Sequence, residues 1–367
     1  MPSNSPDKSP FIHVHSSTMS TPSSSEIRSQ SVSIPAANAD LETAWRFLEE
    51  GMDHVMSSSQ ISYLRFQELY TVAYNCMTVS RSRMPTESQE VTNAQSNSAS
   101  GLALYDKLKA YLVRYLEGLR EVSGIRMGVG LLQRYAKEWD KYMTGVDYLN
   151  RIFTYLNRHW VAQERNKGCK DVYPVTKLAL VEWREQILYS IQGEDMKLTC
   201  ATLELIEKQR RGETIDEELI KKVADSFVKL GIDEENINKE SMEVYKELFE
   251  NPYIEATVNY ISVTLEACLA EEGASAFLEE IQKIIVAEEE RAHLYVRTFD
   301  PQESIRNCVK VILEDENIWI GFQRFLDDAE EEDLQRINAL VQSLPEVLEP
   351  VRQKINEFND KNAASEV

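Results

Sequence analysis

The stretch SQISYLRFQELYTVAYNCMTVS, residues 59–80, reads as a helix with more apolar surface than one core contact needs. At about 100° per residue, Ile61, Leu69, Val72, Cys76 and Val79 share one arc. Tyr63, Phe66, Tyr70, Ala73, Tyr74 and Met77 fall on nearly the opposite side. A helix lying on a core needs a single apolar stripe. This one carries two, and the second is aromatic.

A second helix, predicted over 146–166, repeats the pattern around YLNRHWV at 155–161. Leu149, Ile152, Phe153, Leu156 and Trp160 form its core stripe, with His159 at the edge as a structural histidine. About a third of a turn away lie Tyr148, Arg151, Tyr155, Arg158 and Ala162. Tyrosine and arginine combine large contact area with hydrogen-bonding tips, which is why they are enriched where proteins dock. Two readings follow. Either both extra stripes are buried between helices of the same bundle, or they are left for another protein.

Working outward, the helical pattern continues almost everywhere from residue 40. Helices are predicted at about 40–56, 59–80, 101–122, 128–142 and 146–166, then at about 173–192, 195–211, 216–230, 240–270 and 274–298. Shorter pieces run from 301 to the end, and no alternating strand pattern occurs. Residues 81–100 are polar and aperiodic, which predicts a surface loop. Two blocks of five helices and a partial third suggest stacked repeats, each burying its faces on its neighbours. Residues 1–39 hold twelve serines and few large apolar residues. Such a segment buries too little surface to offset its ordering entropy, so a disordered tail is expected.

Bulk properties narrow the function. The net charge of −21 argues against nucleic acid or an anionic membrane as a partner. Five scattered cysteines without a CxxC predict neither a zinc site nor a disulfide framework, and fit the reducing cytoplasm and nucleus. No cofactor is expected: GxGxxG, P-loop and HExxH motifs are missing. Glu290 and His293 form one ExxH, whereas a di-iron bundle needs two plus further glutamates. That pair, and the acidic runs at 271–274, 288–290 and 327–333, read as solvated surface.

LETAWRFLEEGM at 41–52, FQELYTVAYN at 66–75 and YLNRHWV at 155–161 resemble successive signatures of the N-terminal arm of the cullins, the scaffolds of modular ubiquitin ligases. LALVEWREQI at 178–187, LIEKQRRGETI at 205–215 and VYKELFENPYI at 244–254 carry the likeness into a second repeat. The SCF-type cullin, which serves F-box proteins, is the nearest in kind. The resemblance implies an all-α, elongated stalk of five-helix repeats. These would span 40–169, 170–300 and, in part, 301–367, after the tail at 1–39.

It also implies that the second and fifth helices of the first repeat grip a Skp-type adaptor of BTB/POZ fold, itself carrying an F-box receptor. The contacts carried over are Phe66, Gln67, Tyr70 and Tyr74 on one helix, and Tyr148, Arg151, Tyr155 and Arg158 on the other. Gln67 departs from the apolar residue often found there. A cullin-exchange factor is a further partner the resemblance raises. A RING-box subunit would need a C-terminal domain that this sequence does not reach, so no catalysis is expected of the chain. An exocyst-like tethering rod and a helical metalloenzyme are the competing classes.

Overall fold

The computed structural model describes residues 33–58, 60–79, 89–122, 127–233, 236–237, 239–271, 274–297 and 301–328, with short stretches between 335 and 357. The predicted tail at 1–39 therefore lies almost wholly outside the described residues. Among the described residues, regular structure is helical apart from one antiparallel bridge, Ile232 to Glu240.

The helices are α1 Leu41–Ser58, α2 Tyr63–Thr78, α3 Gln89–Val122, α4 Val129–Ile152, α5 Thr154–Leu156 and α6 Ala162–Asn166. There follow α7 Val175–Trp183, α8 Tyr189–Gln192, α9 Lys197–Arg210, α10 Glu217–Leu230, α11 Glu243–Tyr245 and α12 Asn251–Glu271. The last described are α13 Ala274–Tyr295, α14 Pro301–Leu313 and α15 Glu316–Asp328. Wider π-helical turns join α5 to α6 at Asn157–Val161, α7 to α8 at Arg184–Leu188, and α11 to α12 at Lys246–Glu250.

Local chemistry sets several starts. Asp40 accepts the Thr43 backbone N–H at 2.9 Å, and Ser62 accepts that of Arg65 at 3.2 Å, so α1 and α2 begin on capping side chains. Asp216 does the same for α10 through the Leu219 N–H at 3.3 Å.

Two predicted boundaries are corrected. Residues 89–100 are not loop but the first turns of α3, while 81–88 lie outside the described residues. Extending an established helix costs no new nucleus, so polar residues can join it without an apolar stripe of their own. The expected break at 143–145 is also absent, because α4 runs through to Ile152. Gly145 is there for close approach: a Cβ would overlap the Met56 side chain of α1.

One apolar core runs from α1 to the C-terminal end of α13 and on to Ile305 in α14, and a second begins at Ile261 within α12. The helix α4 packs against α1 and also against α7, α9 and α10, so it belongs to both five-helix blocks. Its seam with α7 is aromatic. Trp183 lies 5.3 Å from Trp139 and 4.8 Å from Tyr142, ring centre to ring centre. Polar tips are paired inside that seam: Tyr142 donates to the Ala179 carbonyl at 3.0 Å, and Tyr135 meets the Ser226 hydroxyl at 2.9 Å. Burial pushes the Tyr135 phenol up to about 12, so it stays neutral.

Candidate functional site

The α2 helix is wedged against α1, α3, α4 and α5, which buries Leu69, Val72, Ala73 and Met77. Ala73 and Met77 thus belong to the core rather than the second face, while Ile61, Cys76 and Val79 are only half-buried. Contact with neighbours on several sides widens the core arc and narrows the outer one. Behind the outer arc, burial pushes the Cys76 thiol up to about 11, so it offers no thiolate at neutral pH.

On the outer side of α2, Tyr63, Gln67 and Tyr74 are exposed, while Phe66 and Tyr70 are half-buried. Tyr63 is 75% exposed and Tyr74 39%. Arg65 holds this part of α2 to α1, stacking 4.2 Å over the Phe47 ring while bonding Glu68 at 3.2 Å.

The second element is not one uninterrupted helix. Tyr148 and Arg151 end α4, Phe153 marks the junction, and Tyr155 and Arg158 follow in α5 and the π-turn. Leu149, Ile152, Phe153, Leu156 and Trp160 are all buried, as their periodicity predicts. Trp160 beds on α3 at Gly101, where any Cβ would overlap the indole. Asn157 holds the turn by accepting the Val175 N–H at 3.0 Å and donating to Asn150 at 2.9 Å.

His159 is a correction. It is exposed rather than structural, and its ring lies 4.0 Å from that of Tyr155. A π-turn holds an extra residue, so the ideal 100° wheel puts His159 at the core edge while the real turn carries it outward.

The two elements meet in a row of rings. Tyr70 and Tyr74 stack at 6.5 Å, Tyr74 meets Tyr155 edge-on at 4.7 Å, and Tyr155 passes the row to His159. Beside the row runs a groove lined by Ile34, Tyr63, Phe66, Gln67, Glu68, Tyr70, Thr71, Arg151 and Thr154. Ile34 is 57% exposed, and no pattern in the serine-rich segment around it pointed to this position. Arg151 stands 6.0 Å over the half-buried Tyr148 ring. Arg158 is exposed in the π-turn, and neither arginine has an ion-pair partner among the described residues. Six of the eight expected contact residues therefore share the row and groove, and Tyr148 and Arg158 flank them.

Such a face, aromatic and cationic on a buried scaffold, has the chemistry of a protein-docking surface. Among the described residues no group of three or more His, Cys, Asp or Glu side chains could hold a metal ion, and Glu290 and His293 both face solvent. No described helix is long and apolar enough to cross a membrane.

The remaining family segments have a different role. Arg210 of α9 forms a two-point ion pair with Glu288 of α13, at 3.1 and 2.9 Å, and donates to Thr257 of α12 at 2.7 Å. Arg291 also bonds Glu288, while Gln209 accepts from Arg291 at 3.2 Å and from Tyr295 at 3.1 Å. The side chains of Arg210 and Glu288 are 2% and 1% exposed. The run at 288–290 is therefore not all solvated surface, since its first member is a buried ion-pair partner. Burial alone would lower the Arg210 pKa, but the hydrogen bonds and charge of Glu288 reverse this and leave it raised.

The described residues thus form a helical solenoid whose first bundle presents a ring-lined face and whose second is clamped by a buried ion pair. The Cullin alpha solenoid domain matches residues 45–366, and the chain belongs to the cullin family. It is 30% identical to Cullin-1 of Dictyostelium discoideum over 318 residues, 85% of this chain and 41% of that relative. To Cullin-1 of Schizosaccharomyces pombe it is 29% identical, over 87% of this chain and 41% of the relative. Cell division control protein 53 of Saccharomyces cerevisiae is 28% identical, with 82% of this chain and 38% of the relative covered. The chain thus spans about two fifths of the length of these relatives.

Proposed function

We propose that this chain is the scaffold arm of an SCF-type cullin-RING ubiquitin ligase, and that its first bundle docks a Skp-type BTB/POZ-fold adaptor carrying an F-box receptor. Repeats at 40–169, 170–300 and 301–367 would form the arm, working in the cytoplasm and nucleus. The arm itself is not catalytic. Its contribution is distance: it holds a substrate receptor at one end while a RING-box subunit engages a C-terminal domain of the full-length protein. A cullin-exchange factor would be a further partner.

One observation carries this reading. The row Tyr70–Tyr74–Tyr155–His159 reaches solvent, with Tyr74 and His159 exposed and Tyr70 and Tyr155 half-buried, on two elements whose opposite sides are sealed into the core. A cluster of partly exposed rings offers anchors to a partner, and an aromatic anchor in a docked interface contributes about 2–4 kcal/mol.

The test is Tyr70→Ala combined with Tyr155→Ala in the full chain. Adaptor binding is expected to weaken at least about 100-fold, while the melting midpoint stays within a few degrees of wild type. Unchanged binding would reject this face. Loss of the helical circular-dichroism signal would show the rings to be structural.

A further inference from the structure

We propose that Tyr63 and Gln67 form the specificity element of the docking face: an amide acceptor, held in place by a phenol, that selects an adaptor presenting a neutral hydrogen-bond donor. The proposal rests on the docking reading above and concerns which adaptor fits, not whether one binds.

Tyr63 and Gln67 lie four residues apart on α2, so their side chains stand one above the other. The Gln67 Nε2 donates to the Tyr63 hydroxyl at 2.9 Å. Both line the groove that also contains Phe66, Glu68, Tyr70 and Arg151. An unrestrained glutamine samples many rotamers and must give them up on binding. The phenol removes part of that cost beforehand, because it ties one end of the amide.

The other end points the chemistry. Oε1 of Gln67 has no partner among the described residues and can accept two hydrogen bonds. Gln67 is exposed, so solvent water reaches this oxygen in the free protein. Once an adaptor excludes that water, the oxygen needs a donor, and an apolar residue opposite it would leave it unpaired. Of the two charged side chains that line the groove, Glu68 is already paired with Arg65 at 3.2 Å, so the unpaired Arg151 guanidinium disfavours an incoming ammonium or guanidinium. The donor is therefore neutral: a hydroxyl, an amide or a backbone N–H.

Calorimetric titration of the full chain with the organism's own Skp-type adaptor, bound to an F-box segment, tests this. Gln67→Met is expected to bind about tenfold more weakly. Tyr63→Phe, which leaves the amide unheld, loses about threefold. The double variant should be no weaker than Gln67→Met, because the phenol acts only through the amide. Gln67→Glu keeps an acceptor and should stay within about threefold of wild type.

Wild-type affinity in Gln67→Met, or equal losses for Gln67→Met and Gln67→Glu, would overturn the proposal. So would losses that add in the double variant, or no loss in Tyr63→Phe. The Tyr70→Ala/Tyr155→Ala variant separates the two levels. If it still binds, the docking reading fails and this proposal with it; if it does not bind while Gln67→Met does, only the specificity element falls.

Discussion

The outer face of α2 and the buried junction of α9, α12 and α13 use the same residue types for opposite ends. At the first, Tyr74, Arg151 and Arg158 are exposed beside the half-buried rings of Tyr70 and Tyr155, and the arginines make no ion pair among the described residues. At the second, Arg210 is enclosed by Glu288, Thr257 and the rings of Tyr253 and Tyr260, the latter 4.8 Å below its guanidinium. Composition does not separate docking from structure. Satisfaction does: a buried charge must find its partners inside the chain, while an exposed, unpaired one remains available to a second molecule.

That contrast gives separable outcomes. The largest effect is expected at the buried junction. Glu288→Ala strands two guanidinium groups and should cost about 3–5 kcal/mol in urea unfolding, with adaptor affinity per folded molecule unchanged. A loss of affinity equal to that from the face variants would erase the distinction between the two regions.

Gly101→Ala probes the place where packing positions the face. The added methyl collides with Trp160, and relieving the overlap is expected to cost about 1–3 kcal/mol in stability. Because Trp160 sits in the π-turn that carries Arg158 and His159, adaptor binding should weaken as well. Both losses together are the signature; stability loss alone would mean that the turn's placement does not matter for docking.

The smallest expected effect depends on pH. Glu250 is buried in the turn before α12, its Oε2 has no hydrogen-bond partner, and burial raises its pKa against the pull of Lys246. A carboxyl with a raised folded pKa favours the folded state fully below its unfolded value, near pH 4, and that support is lost as pH rises through the folded pKa. Glu250→Gln should therefore gain on the order of 1 kcal/mol at pH 7 and nothing at pH 4. An equal effect at both pH values would indicate packing rather than charge.

Much of this was legible in the sequence, for local reasons. The stripe Leu149–Ile152–Phe153–Leu156–Trp160 is a 3.6-residue pattern and lands in the core. The outward placement of Arg158 follows from the same wheel, whereas Tyr70 and Tyr155 are half-buried and Tyr155 packs partly against the core. What escaped was non-local or off-phase. Glu288 looks like one acid in a run of three, since its partner Arg210 is 78 residues away. His159 is misplaced by an ideal wheel because the turn around it is wider than an α-helix. Gly145 suggests a helix end until Met56, in another helix, is seen to fill its place.

The most direct measurement is hydroxyl-radical footprinting of the full chain with and without the Skp-type adaptor, read at individual side chains. Protection is expected at Tyr63, Tyr74, Tyr155 and His159, with exposed positions such as Val263 and Val311 on the later helices unchanged. Protection confined to those later helices, with the four rings as reactive as in the free chain, would contradict the account.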